Sequence, residues 1–340
     1  MTAPCELRPV GVVGLGHYAP PEVVTNLDLQ GRLDTTDEWI RSRTGIRERR
    51  QAHPGVCASD LALEASRRAL RSAGIHPEQL GLIIVGTMTP DMVVPATACL
   101  VQNALGARNA GAFDLNVACS GFAYSLAVGS QFVRTRAYDY VLVVGADTMT
   151  RVMNWQDRGT CVLFGDGAGA VVLGPVAPGR GILAVHLGAD GRGGPHLTVP
   201  AGGGRIPGGT PGIPHSGYCL QMNGKEVFKF AVGVMGEAAA AVVGKAGLTA
   251  DDVALFIPHQ ANVRIIDAAA RRLGVPMERV FVNVDRFGNT SCGSIPLALS
   301  EAREQGRIRD GDVVVLVGFG GGLSWGAVAM RWTECGKEAA

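Results

Sequence analysis

The residue with the most chemistry to offer is Cys119, in Phe113-Asp114-Leu115-Asn116-Val117-Ala118-Cys119-Ser120-Gly121-Phe122-Ala123. The segment reads as a strand, a sharp turn and the start of a helix. A helix N-terminus presents free N–H groups and a positive dipole end, which favour thiolate over thiol and predict a lowered pKa. Gly121 and Ala123 keep the helix start slim, so a substrate can approach. Against this stands the commonest fate of a cysteine, a small buried hydrophobe. The chain has eight: Cys5, Cys57, Cys99, Cys119, Cys161, Cys219, Cys292 and Cys335. They are dispersed with no CxxC pair, which points to free thiols rather than disulfides or zinc ligands.

Three other features gain weight beside Cys119. Pro258-His259-Gln260-Ala261-Asn262 places a polar pair at the end of a buried strand. Asn289, in Phe287-Gly288-Asn289-Thr290-Ser291, follows a strand predicted around Phe281-Val282-Asn283-Val284. Gly320-Gly321-Gly322 follows a third strand and can turn backbone N–H groups toward a ligand. Taken singly, these are a structural histidine, a turn asparagine and a tight turn. All four lie just beyond the C-terminal ends of predicted strands, where α/β sheets build their sites. A thiolate, an imidazole, a carboxamide and bare backbone donors form an acyl-transfer set.

Bringing them together requires a repeated architecture, and the sequence carries one. Ala73-Gly74-Ile75-His76-Pro77-Glu78-Gln79-Leu80-Gly81-Leu82-Ile83-Ile84 is matched without a gap by Ala246-Gly247-Leu248-Thr249-Ala250-Asp251-Asp252-Val253-Ala254-Leu255-Phe256-Ile257. Asp139 to Gly145 is matched by Asp312 to Gly318 at the same offset of about 170 residues. Two pairs in one order at one offset indicate a duplication. Each half alternates buried strands with helical stretches, among them Leu61–Ala73 and Phe228–Gly244, giving an α/β fold with helices on both sheet faces. The halves divide as 1–175, carrying the cysteine, and 176–340, carrying the histidine, the asparagine and the glycine run. A Gly/Pro-rich stretch from Gly188 to Gly217 is long enough to be functional or mobile.

Composition removes several classes. With 340 residues, 47% of them hydrophobic, the chain can bury a large core. Lys plus Arg number 31 and Asp plus Glu 30, so the net charge of +1 gives no global attraction to nucleic acid or anionic membrane. No apolar run reaches spanning length, and Met1 to Val10 lacks a signal-peptide core, so a cytoplasmic location is expected. Asp166, in Gly165-Asp166-Gly167-Ala168-Gly169-Ala170, is expected to shape the fold. Its glycines form no phosphate loop, since no Gly-Lys-Ser/Thr follows.

At this point the sequence resembles the β-ketoacyl-acyl-carrier-protein synthase III family, the condensing enzymes that start type II fatty acid synthesis. Five segments match in order and spacing: Asp37-Glu38-Trp39-Ile40 with Arg43-Thr44-Gly45-Ile46-Arg47, Asn116 to Phe122, Gly165 to Ala170, Pro258 to Asn262, and Phe287 to Ser291. The likeness runs from about Val10 to Trp332. It implies a thiolase-like fold, duplicated βα halves in a layered αβαβα arrangement, and a homodimer without a cofactor.

The resemblance also implies roles. Cys119 takes an acyl group from acyl-CoA, and His259 and Asn289 complete a triad that supports decarboxylative condensation with malonyl-acyl carrier protein. The N–H groups of Cys119 and Gly321 form the oxyanion hole. Trp39 and Arg158 sandwich the CoA adenine, Arg43 meets a CoA phosphate, and Asn262 also contacts CoA. Lys229, Arg264, Arg271 and Arg272 receive the acidic acyl carrier protein. Val94 caps the partner subunit's acyl pocket, where a residue smaller than an aromatic leaves room for longer or branched primers. A second reading keeps fold and nucleophile but assigns acyl transfer or condensation in polyketide or other secondary metabolism. A thiolase or hydroxymethylglutaryl-CoA-synthase relationship fits less well, because Gly320-Gly321-Gly322 stands where thiolases carry a second cysteine.

Overall fold

The computed structural model describes residues 7–334. Cys5, Cys335 and the chain from Met1 to Glu6 lie outside the described residues. Two sheets form the frame. The first contains β1 (Val10–Tyr18), β2 (Leu80–Gly86), β3 (Gly111–Leu115), β4 (Tyr140–Thr148) and β5 (Asp166–Pro175), in the order β1-β5-β4-β2-β3. The second contains β6 (Gly181–Ala189), β7 (Val253–Pro258), β8 (Val313–Gly320) and β9 (Ser324–Arg331), in the order β6-β9-β8-β7. The pairings from β1 through β5 to β4, and from β6 through β9 to β8, are antiparallel. The β4–β2 and β8–β7 pairings are parallel. The two sheets therefore repeat one topology, as the offset matches predict.

Helices fill the layers by pattern. α1 (Ala58–Ala73) and α2 (Thr97–Leu105) cover the outer face of the first sheet; α1 buries Ala58, Leu61, Ala62, Ala65 and Ala69 on one stripe. α3 (Gly121–Arg134) and α6 (Ser294–Glu304) lie between the sheets, which explains why Phe122, Leu126, Ile295 and Leu299 are buried in one shared core. α4 (Gly224–Lys245) and α5 (Val263–Leu273) cover the second sheet. α4 is long and apolar enough to cross a membrane by length and composition, but it packs on β6, β8, β9 and α5. The result is the expected αβαβα layering. Strands buried on both faces need continuous apolar runs, and Val141 to Val144 and Val313 to Val317 provide them.

One expected strand does not form. Around Phe281-Val282-Asn283-Val284 only a single parallel bridge survives, Phe256 to Val280, at the edge where the first sheet has β3. The cause is Gln260. Its Oε1 accepts the N–H groups of Asn283 (2.9 Å) and Val284 (3.2 Å), and its Nε2 donates to the carbonyls of Pro258 (2.8 Å) and Phe281 (3.1 Å). A side-chain amide satisfies the groups that a ladder would have paired, and the chain turns into a short helix, Val284–Phe287.

The stretch from Gly188 to Gly217 is likewise not a bare loop. It extends β6 and then forms a short 3₁₀ segment, Gly191–His196. Leu197–Thr198 pairs with Gln221–Met222. Arg49, fully buried, donates to the carbonyls of Val24 and Val162 and to Asn26 Oδ1, so the antiparallel pair of Glu22–Thr25 and Glu48–Gln51 is clamped to the main body. That clamp fixes the helix Asp37–Thr44, which carries Trp39 and Arg43.

Candidate active site

The duplication brings two tight turns face to face. Ala118–Ser120 leads into α3, and Ser291–Gly293 leads into α6. Each contains a non-glycine residue with left-handed backbone, Ala118 (φ 44°) and Ser291 (φ 49°), followed by a cysteine, Cys119 and Cys292. Strained residues of this kind persist where surrounding packing holds them. Cys119 is thus the first-half member of a repeated elbow, and Cys292 is its counterpart.

The two cysteines differ in what their surroundings leave free. Cys292 donates its backbone N–H to Asp147 Oδ2 (2.9 Å) and its thiol to the Ala118 carbonyl (2.9 Å). Asp147, fully buried, is fixed in turn by Thr87, Met88 and Thr89. On the other side the residue facing Cys119 is Gly320, and a Cβ there would come within 2.6 Å of the Cys119 nitrogen. Glycine at 320 therefore keeps that N–H approachable. Ser120 anchors the elbow through the Val117 carbonyl (2.7 Å) and Ser324 Oγ (2.8 Å).

His259 and Asn289 meet Cys119 on one cavity of about 90 Å³, together with Asn262, Phe228 and Phe319. His259 continues β7, with its N–H on the Val317 carbonyl (2.7 Å) and its ring edge-on to Phe319 at 5.5 Å. Its Nδ1 lies 2.5 Å from Ser294 Oγ, while Nε2 is buried without a hydrogen-bond partner. Desolvation pushes the imidazole pKa down to about 3, so the ring is neutral at physiological pH. Asn289 is stitched to the first half through Leu163 O and Gly165 N. Its Oδ1 accepts the Ser291 N–H (2.8 Å), which leaves its NH₂ for the cavity.

The thiol does not follow the sequence expectation. Burial pushes the Cys119 pKa up to about 12, against a weaker lowering contribution from Ser291, whose Oγ lies 3.4 Å from Sγ. Desolvation of the charged form dominates, and Cys119 rests as a thiol beside a neutral imidazole. A second cavity, of about 70 Å³, opens on the other side of Cys119 and is lined by Met88, Ala118, Met149, Leu220 and Gly321. Cys119, Phe164 and Leu197 line both cavities, so the sulfur sits between an arm with polar donors and an apolar arm.

The remaining sequence candidates lie further out. Both Arg43 and Arg158 stack on Trp39, at 4.6 and 5.4 Å from the ring centroid. Arg158 also pairs with the Asp34 carboxylate at 3.0 Å and with the Asp34 carbonyl. In this state no gap for a base separates Trp39 from Arg158, and Arg43 faces the indole. Asn262 caps α5 by accepting the Arg264 N–H (2.8 Å) and donates to the Arg43 carbonyl (3.0 Å), so it ties the Trp39 helix to α5. Lys229 and Arg264 are exposed, and Arg264 stacks on Phe228 at the cavity rim. Arg271 and Arg272 are held in ion pairs with Asp267 and Glu237. Val94 is 81% exposed and does not line either cavity of its own chain. Ser291, Ser294 and Phe319 escaped the sequence reading. For the two serines the available signal was a run of small polar residues just before the apolar stretch Ile295 to Leu299.

Comparison with known proteins identifies the family. The model of the 3-oxoacyl-[acyl-carrier-protein] synthase III family matches residues 113–191, and that of its C-terminal region matches residues 243–332. A β-ketoacyl-[acyl-carrier-protein] synthase III of Symbiobacterium thermophilum is 57% identical over 96% of this chain and 99% of its own. The solved structure of β-ketoacyl-[acyl carrier protein] synthase III from Thermus thermophilus superposes with a TM-score of 0.90 at 50% identity, covering 96% of this chain and all of that one. The priming β-ketosynthase of the R1128 polyketide pathway superposes with a TM-score of 0.91 at 39% identity, covering 98% of this chain and 99% of that one. With this identity over nearly the whole length, on a thiolase-like fold, the chain belongs to the β-ketoacyl-[acyl-carrier-protein] synthase III family of acyl-transferring condensing enzymes.

Proposed function

We propose that this protein joins an acyl group from acyl-CoA to a malonyl unit carried by acyl carrier protein, starting fatty acid synthesis. The observation that carries the reading is the convergence of Cys119, His259 and Asn289 on one cavity, with His259 Nε2 buried and unpartnered. In the first half-reaction Sγ of Cys119 attacks the thioester carbonyl. The C–S bond to CoA breaks, and the thiol proton leaves on the CoA sulfur. The N–H groups of Cys119 and Gly321 hold the developing oxyanion, and the acyl chain enters the apolar arm.

In the second half-reaction the malonyl thioester loses carbon dioxide, and the electron pair spreads onto the thioester oxygen. Nε2–H of His259 and the NH₂ of Asn289 stabilise that charge. The carbanion attacks the acyl carbonyl, the bond to Sγ breaks, and the departing Cys119 thiolate takes up one proton from solvent. No cofactor enters this scheme. Division of the chain into halves 1–175 and 176–340 assigns the nucleophile to one and both donors to the other.

The test is mass spectrometry of the Cys119 peptide after competition among acyl-CoAs of different length and branching. An acyl adduct on Cys119 is expected, with a branched or longer acyl group preferred to acetyl. The absence of any adduct overturns the reading. An acetyl preference overturns only the role of Val94, whose exposed side chain we assign to the mouth of a partner subunit's pocket in a homodimer. Trp39 with Arg158, Arg43 and Asn262 are assigned to CoA, whose adenine would displace Arg158 from the indole.

Lys229, Arg264, Arg271 and Arg272 are assigned to the acidic carrier protein. Arg264→Glu is expected to raise the KM for malonyl-acyl carrier protein about tenfold while acylation by acyl-CoA is unchanged. An unchanged KM removes Arg264 from that role. A second reading, priming of a polyketide pathway, is favoured by the superposition on a priming ketosynthase. It predicts the same adduct and differs in which carrier protein is used best.

A further inference from the structure

The imidazole of His259 can stabilise an enolate only when its proton is on Nε2, and a neutral imidazole has one proton to place. In this protein the backbone fixes the ring's position: the His259 N–H is on Val317 O, and Phe319 lies edge-on to the ring. Neither contact decides which nitrogen carries the hydrogen. That choice falls to the one side chain touching Nδ1.

Ser294 is the first residue of α6 and is 2% exposed. Its Oγ has two polar neighbours, Nδ1 of His259 at 2.5 Å and the backbone nitrogen of Gln260 at 3.4 Å. The backbone N–H can only donate, so Oγ accepts there. The hydroxyl's own hydrogen is then free for Nδ1. With the reverse tautomer, both of these neighbours would donate to Oγ and leave its own hydrogen without an acceptor between them, and a bare lone pair on Nε2 would face the cavity where substrate oxygen must sit.

We infer that Ser294 is a positioning residue whose hydroxyl donates to Nδ1 of His259 and so holds the imidazole proton on Nε2, facing the substrate. The inference rests on the enolate-stabilising role proposed for His259. The duplication shows why the site has this residue in one half only: the equivalent first position of α3 is Gly121, where a Cβ would come within 2.8 Å of Cys292 Sγ. The hydroxyl that sets the proton and the sulfur that attacks thus occupy the two turns separately.

The test combines ¹⁵N NMR of histidine-labelled full-length protein with half-reaction kinetics. Wild type is expected to show His259 protonated at Nε2 and unprotonated at Nδ1. In Ser294→Ala a mixture of both tautomers is expected. The condensation kcat should fall about ten- to hundredfold, in keeping with the loss of one buried hydrogen bond, while the extent of Cys119 acylation stays at one per chain. A wild-type Nδ1–H tautomer overturns the inference, as does a Ser294→Ala protein that condenses at the wild-type rate. Should Ser294→Ala fail to fold, the wild-type tautomer decides alone. His259→Ala separates the two claims. If it condenses normally, the role of His259 itself fails; if it is inactive while Ser294→Ala is normal, only Ser294 is wrongly assigned.

Discussion

Cys119→Ala protein is expected to gain no mass on incubation with acyl-CoA, and its condensation rate should fall by at least about 10⁴-fold, the order seen when a covalent nucleophile is removed. The reason lies in what else could attack. Among the described residues lining the two cavities, Cys119 is the sole thiol, and Thr198 offers one unactivated hydroxyl. Cys292 is the sequence's built-in substitute, since it occupies the same elbow position in the second half. It cannot take over. Its thiol is bound to the Ala118 carbonyl, its N–H is bound to Asp147, and burial raises its pKa well above the ordinary range. Decarboxylation of malonyl thioester should persist in Cys119→Ala, because His259 and Asn289 remain. Retained condensation, or an acyl adduct at another residue, would refute the nucleophile assignment. The substitution removes one sulfur atom from a cavity wall, so the melting temperature should change little.

Position relative to strands makes this site legible in the amino-acid sequence. Cys119, His259 and the glycine run all follow β-strands, and the offset matches establish two copies of one topology. Those statements need only hydrophobic pattern and repetition. Three features cannot be read that way. The strand before Asn289 is lost to the side chain of Gln260, and a pattern of apolar residues does not reveal that an amide 21 residues away will satisfy their backbone. The pKa of Cys119 depends on how much water reaches Sγ, and the lowered value expected from a helix start is reversed once the thiol is buried. Ser294 is one serine in a chain with many polar small residues. Its meaning comes from a 2.5 Å contact across 35 residues, which spacing does not encode. The outer candidates show the same division. Trp39, Arg43 and Arg158 do cluster, as the motif match implies, but the cluster is closed on itself through Asp34.

Separating the two half-reactions decides what the imidazole is for. His259→Ala is expected to acylate at Cys119 within a few-fold of wild type and to lose about 10²–10³ in condensation and in decarboxylation of malonyl thioester, the usual cost of one oxyanion donor. The alternative, His259 as general base for the thiol, predicts a comparable loss in acylation. The geometry argues for the donor. Nε2 is buried and unpartnered on the cavity that Cys119 lines, and under the inference drawn for Ser294 its proton faces that cavity. The pH profile gives an independent check. A pKa pushed down to about 3 means that the folded protein leaves this ring neutral as pH falls from 8 to 5, whereas an ordinary histidine near 6.5 would have taken up its proton. Wild-type decarboxylation should therefore show no inflection from His259 across that range. An acidic limb near pH 6.5 that disappears in His259→Ala would show that the ring titrates normally, and that a charged imidazolium takes part. Asn289→Ala should lose condensation by a similar factor. The double variant should lose less than the product of the two, because both donors act on one oxygen.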